Sequence, residues 1–181
     1  MIIVNLFGVP GAGKSTGAAY IFSQLKMKGI NAELITEFAK DKVWENNEKV
    51  FKNQLYLFGK QSFRISRVQD EVDVIVTDSP LLLSILYNQT PILGENFNQL
   101  VYDVFNSYNN INYLIKRTKP YNPAGRLQTE EESDALAEPL ISLLKKENIN
   151  YKEITGDIKG YDKIVQEVLN IKETKGWNKK N

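Results

Sequence analysis

"GVPGAGKS", residues 8–15, decides how the rest of the chain is read. It follows "IIVNLF" (2–7), a nearly uninterrupted apolar run of strand length, and leads into "TGAAYIFSQLKMK" (16–28), a helix-forming segment. Strand, glycine-rich turn and helix, in that order, give the pattern GxxxxGK[ST] its physical meaning. Glycines allow successive backbone N–H groups to turn inward around an anion, and the following helix adds the positive end of its dipole. Gly8, Pro10, Gly11, Ala12 and Gly13 are the expected cradle. Lys14 then reaches the β- and γ-phosphates of a nucleotide, and the hydroxyl of Ser15, with Thr16 beside it, supplies a ligand for Mg²⁺. ATP and Mg²⁺ are the ligands this stretch predicts.

Outward from that turn, the helix beginning at Lys14 is expected to run to Lys28 and to stop at Gly29. Further strands are expected at "AELIT" (32–36), "DVIVT" (73–77), "NYLIK" (112–116) and "YKEIT" (151–155). A long helix is predicted over about 47–70, with Val50, Gln54, Leu57, Phe58, Ile65 and Val68 near one face. Strands alternating with helices predict an α/β fold, a parallel sheet covered on both faces. "TKPYNPAGRLQ" (118–128) reads as a loop, Thr129 and Glu132 as a capping box opening the next helix, and Pro139 as a kink or early end within it. A last helix is expected over Asp162–Lys172. The organisation expected is one domain over 1–172, with a lid at about 117–130 and a polar tail at 173–181.

Composition removes whole classes of chemistry. The 181 residues are 42% hydrophobic and 25% charged, an ordinary globular mixture. There is no cysteine, hence no disulfide, thiolate nucleophile or cysteine zinc site, and no histidine, hence no imidazole base or histidine metal cage. Acid–base work must fall to Asp, Glu, Lys or Tyr. The longest near-apolar run, "SPLLLSILY" (79–87), is too short to span a bilayer, and no signal-peptide pattern opens the chain. A soluble protein of the cytoplasm, without a membrane partner, is the expectation. Twenty-three Lys and Arg against 22 Asp and Glu leave a net charge of +1, which gives no global pull toward nucleic acid while leaving room for a local basic groove.

A phosphate loop needs an acid to complete a metal site, and Asp78, at the end of the third expected strand, is the candidate. Its competing reading is a helix N-cap ahead of "SPLLL". Glu37, at the end of the second strand, is the candidate base that orients an acceptor hydroxyl. Lys40, Gln61 and Arg64 could supply donors to the acceptor, as could Gln54, and Trp44 could stack on a ring. The basic set Lys116, Arg117, Lys119 and Arg126 could close over the phosphates and neutralise transition-state charge, Arg117 and Arg126 foremost.

These motifs resemble the phosphate-loop kinases of the nucleoside and nucleotide kinase superfamily, most of all the small ATP-binding group that contains nicotinamide-riboside kinase domains and many bacteriophage proteins. The likeness runs from Met1 to about Leu169 and rests on "GVPGAGKST", on "EFAK" (37–40), with Lys40 where that group usually has Arg, on "VIVTDSP" (74–80) and on "KPYNPAGRLQTEEE" (119–132). It implies a three-layer fold with five parallel strands in the order 2-3-1-4-5 and a lid after the fourth. It also implies phosphate and metal binding by Gly11, Gly13, Lys14, Ser15 and Thr16, an acceptor and magnesium side at Glu37 and Asp78, and a lid role for Arg126. The bacteriophage members would place such a protein in a host cytoplasm. Deoxyribonucleoside kinases are similar in the spacing of Glu37 and Trp44 and in "NQLY" (53–56), but carry Glu-Arg-Ser where this chain has Thr77-Asp78-Ser79. The expected activity is transfer of the γ-phosphoryl of ATP to a small nucleoside- or nucleotide-like acceptor. A kinase acting on a modified base or an end in a nucleic acid, and a regulatory NTP-binding protein, stand as alternatives. A dimer is compatible with the sequence, which does not name the acceptor.

Overall fold

The computed structural model describes residues 1–45, 48–88, 90, 92–124 and 128–175. Five parallel strands, β1 (Ile2–Phe7), β2 (Ala32–Ile35), β3 (Val74–Thr77), β4 (Asn110–Lys116) and β5 (Lys152–Thr155), form one sheet in the order β2-β3-β1-β4-β5. The helices are α1 (Lys14–Met27), α2 (Phe38–Trp44), α3 (Gln54–Ser66), α4 (Leu83–Leu86), α5 (Gly94–Asn106), α6 (Glu130–Ala135), α7 (Ala137–Lys146) and α8 (Ile158–Lys175), with a 3₁₀ turn at Glu48–Lys52. The expected α/β class and strand order are those observed.

The period-2 alternation of strand side chains explains why β1 is apolar on both sides. Ile2, Val4 and Leu6 enter a core with Ala18, Ile21 and Leu25 of α1 and Ile164, Val165 and Val168 of α8. Ile3 and Phe7 enter the opposite core with Phe58 and Ile65 of α3, Phe97, Val101 and Phe105 of α5, and Leu140 and Leu144 of α7. Asn5 would be a buried cost on this second face, and it is satisfied by donating to the side-chain oxygens of Asn110 (2.8 Å) and Asn112 (3.0 Å).

Several boundaries differ from expectation for local reasons. The long helix expected over 47–70 is broken: the Asn53 side chain accepts the Tyr56 N–H (3.0 Å), so α3 starts afresh after a 3₁₀ turn and ends at Ser66. The Thr129–Glu132 capping box forms, but the helix it opens stops at Ala135. A continuous helix would drive the Pro139 ring into the carbonyl of Ala135; restarting at Ala137 puts Pro139 in a first turn, where no amide hydrogen is needed. Asp157 accepts the Gly160 N–H (2.8 Å), so α8 begins at Ile158, four residues earlier than expected. No helix among the described residues is long and apolar enough to cross a membrane.

Candidate active site

In a parallel sheet the loops leaving the carboxyl ends of the strands converge on one edge. Here those loops are residues 8–13 after β1, Thr36–Glu37 after β2, Asp78–Pro80 after β3 and the segment from Arg117 after β4. Pairing of Thr77 with both Asn5 and Ile35 fixes β2, β3 and β1 in register, so Glu37, Asp78 and the phosphate loop open onto a single cleft of about 420 Å³. That volume lies in the range of small-molecule sites.

The loop wall is held from behind. Gly11 (φ 80°) and Gly13 (φ 101°) occupy left-handed backbone, and a Cβ on Gly13 would stand 2.6 Å from the Tyr161 hydroxyl. Tyr161 donates to the Gly13 carbonyl (3.0 Å), and Ser133, fully buried, donates to the Pro10 carbonyl (2.7 Å), so α8 and α6 both grip the loop. Gly13 caps α1 without any side-chain bond, which leaves the first-turn amides of that helix directed at the loop. Lys14 donates to the Gly8 (2.7 Å) and Val9 (3.0 Å) carbonyls, folding its ammonium over the loop.

Pro10, Gly11, Gly13, Lys14, Ser15 and Thr16 line the cleft, whereas Gly8 lies at its base against the backbone of Ile115 and Ala12 is buried in the core beneath it. Across from Lys14 stand Glu37, Lys40, Gln61 and Asp78. The buried Asp78 is no helix cap: α4 starts at Leu83, and Asp78 Oδ1 instead accepts the Glu37 N–H (3.0 Å), tying two strand ends together. Gln61 accepts the Phe38 N–H (2.9 Å) and donates to the Thr36 carbonyl (3.3 Å), which clamps the corner that carries Glu37. Burial raises the Glu37 carboxyl above its ordinary value, with the Lys14 charge opposing and the Asp78 charge adding to the rise. Tyr87, also in the cleft, is pushed up to about 12 by burial and then by the Glu37 charge, so its hydroxyl stays a donor.

Trp44, Arg64 and Arg117 also fall outside the lining. Trp44 is 66% exposed at the end of α2. Arg64 turns away to Asp41 (2.6 Å) and the Thr36 carbonyl (3.0 Å), with its guanidinium over the Phe38 ring, so it braces the Glu37 corner of the cleft from outside. Arg117 pairs with Asp134 and Glu130 of α6 and lies over the Tyr121 ring, whose edge would meet a Cβ on Gly11 at 2.8 Å. Arg117 therefore stands at the roof of the loop, where its Nη1 is buried with no hydrogen-bond partner among the described residues. Lys116 pairs with Glu153 at the surface, and Arg126 lies outside the described residues.

Sequence reading singled out neither Phe51 nor Tyr87, which with Phe38 and Leu57 supply the apolar and aromatic part of the cleft. Nor did it flag Ser133 and Tyr161, which hold the loop from elements far along the chain. Gln54, buried and lining the cleft, stood out only as one helical donor among several.

Among the described residues no three acidic side chains gather into a metal cage. A hydroxyl and one carboxylate beside a phosphate site are the donor set that Mg²⁺ accepts when substrate phosphates and water complete its shell, and Ser15 and Asp78 provide it in the same cleft.

A phosphate loop of this geometry at the edge of a 2-3-1-4-5 parallel sheet defines a P-loop fold. A family model described as an AAA domain matches residues 3–160, and the chain belongs to that family. Among solved structures it is similar to deoxyadenosine kinase from M. mycoides with bound dATP, with a TM-score of 0.55 and 20% identity over 93% of this chain and 99% of that one, a likeness of fold. No curated protein sequence matches it.

Proposed function

We propose that this protein is an ATP- and Mg²⁺-dependent phosphotransferase that moves a γ-phosphoryl group to a hydroxyl of a nucleoside- or nucleotide-like acceptor. The observation that carries this reading is the meeting of Lys14, Glu37 and Asp78 in one cleft, with the Glu37 backbone fastened to the Asp78 carboxylate. Backbone amides of residues 8–16 and the Lys14 ammonium hold the triphosphate in line with the acceptor. When bound between Ser15 and Asp78, Mg²⁺ supplies charge neutralisation at the phosphates. Glu37 orients the acceptor hydroxyl. As the new P–O bond forms and the bond to the β–γ bridging oxygen breaks, the hydroxyl proton passes to Glu37 and ADP leaves. A carboxyl whose pKa is raised by burial is a stronger base than an exposed one, which suits that late proton transfer.

Tyr87 and the amides of Gln54 and Gln61 provide polar contacts within an otherwise apolar wall of Phe38, Phe51 and Leu57, a surface suited to a flat ring with hydrogen-bonding edges. Arg117 and Arg126 are assigned to the lid. Incubation with γ-labelled ATP and a panel of nucleosides, nucleotides and nicotinamide riboside is the test. Label should pass to one class of acceptor; ATP hydrolysis with every acceptor left unlabelled would overturn the proposal.

A further inference from the structure

The near-neutral chain hides an uneven distribution of charge. Residues 38–67, which build the acceptor-side wall, carry seven Lys and Arg against three Asp and Glu, whereas the rest carries sixteen against nineteen. Some of the wall's cations are committed within the protein: Arg64 to Asp41 and Lys42 to Glu45. Others are not. On α3 and its C-cap, Tyr56, Lys60, Phe63 and Arg67 recur at helical spacing on one exposed stripe, with Tyr56 40% and Phe63 64% exposed. Neither Lys60 nor Arg67 has an acidic partner among the described residues. Lys60 Nζ lies 5.6 Å from the Tyr56 ring centroid. The stripe thus alternates aromatic and cation over about 16 Å of helix. It is continuous with the cleft, because the Tyr56 ring packs edge-on against Phe38 (5.6 Å), a cleft-lining residue.

We infer that this stripe is a docking track for a single-stranded nucleic acid, with bases stacking on Tyr56 and Phe63 and phosphates meeting Lys60 and Arg67. An unpaired strand offers base faces and phosphates in alternation, the chemistry the stripe matches. A duplex hides its base faces and would leave both rings idle. A second copy of the chain, docked about a two-fold axis on this stripe, would bring its unpaired cations toward each other. The inference rests on the phosphotransferase reading in one respect: it makes the acceptor a residue of a strand, led past Phe38 into the cleft.

The test is fluorescence anisotropy of a labelled twelve-residue oligothymidylate with the full chain at several salt concentrations. Binding should weaken with salt, and Lys60→Ala should flatten the log–log salt slope by about 0.7, one phosphate contact. Phe63→Ala should weaken binding by about 5- to 150-fold, the loss of one stacked base, and leave phosphorylation of any free nucleoside unchanged. Absence of binding at low salt, or wild-type affinity in Phe63→Ala, overturns the track. So does sedimentation showing a dimer that Phe63→Ala dissociates without any oligonucleotide bound. Failure of the two readings is distinguishable: strand binding with the expected variant pattern but no labelled acceptor refutes the phosphotransferase, whereas labelled free nucleosides with no strand binding refute the track alone.

Discussion

Gly17 sits one turn into α1, where its N–H donates to the Gly13 carbonyl (2.8 Å). A Cβ there would lie 2.5 Å from Tyr161 Cε1 and 2.9 Å from Cδ1 and Cζ. Carbon atoms rest at about 3.5–4.0 Å, so in Gly17→Ala the ring must retreat by about 1 Å. Tyr161 is 3% exposed and has little room to do so. Its retreat also draws the hydroxyl off the Gly13 carbonyl, the bond that steadies the phosphate loop. Overpacking costs about 1–3 kcal/mol and the lost hydrogen bond about 0.5–1.5, while replacing a helical glycine returns up to about 1. The net loss is about 1–3 kcal/mol, a fall in Tm of about 2–10 °C for a chain of this size. Calorimetry checks the stability, and titration with ATP should show weaker binding, because the displaced group touches the loop itself. The decisive control is Tyr161→Ala: in that background Gly17→Ala should cost nothing and could stabilise by up to about 1 kcal/mol. Equal costs in the two backgrounds would refute the steric account.

Glu37→Gln should lower kcat by about 10²- to 10⁴-fold while ATP affinity measured by calorimetry stays near wild type. The same variant has a signature in stability. Because burial raises the folded carboxyl above its ordinary value of 4.5, the wild type loses stability as pH climbs from there through the raised folded value. Urea midpoints should therefore favour Glu37→Gln above neutrality and converge with wild type below about pH 4; parallel curves would show that Glu37 is not desolvated. Ser133→Ala strips the Pro10 carbonyl of its donor and should cost about 1–3 kcal/mol with weaker ATP binding, read by thermal shift with and without nucleotide. Lys14→Ala should fold normally but lose the stabilisation by saturating ATP, about 2.7 kcal/mol at a hundred times Kd in a protein that binds it; an undiminished shift would place the nucleotide elsewhere.

What the sequence revealed and what it concealed divide along a physical line. The phosphate loop was legible because glycines, a lysine and a helix start must be contiguous for backbone amides to converge. Asp78 and Glu37 were legible because strand ends in a parallel sheet share one edge. Trp44 and Arg64 were misplaced for a related reason: helical spacing says which residues share a face, not which way that face turns. The corner after β2 points α2 so that Phe38 and Lys40 enter the cleft and Trp44 leaves it. The grips of Ser133 and Tyr161 on the loop bridge more than a hundred residues and involve ordinary side chains, so no local pattern announces them. The helix break at Asn53 was obscured by apolar periodicity that continues across it, while side-chain capping decided the outcome; the break ahead of Pro139 was legible because proline cannot continue a helix interior.

Under the proposed function, the corner bearing Glu37 has a consequence for how an acceptor is chosen. Three consecutive residues, Thr36 to Phe38, are held by Gln61, Arg64 and Asp78 through bonds made entirely within the protein. The backbone that carries the Glu37 carboxyl is thus set in advance, and an incoming molecule need not supply the free energy to order that corner. Discrimination then works as a fixed gauge: a ring that fails to fit meets a wall that does not adapt, and departs quickly. Changing selectivity should accordingly require altering the side chains that line the gauge, such as Phe51, Gln54 and Tyr87, because loosening the corner would blunt Glu37 for every acceptor alike.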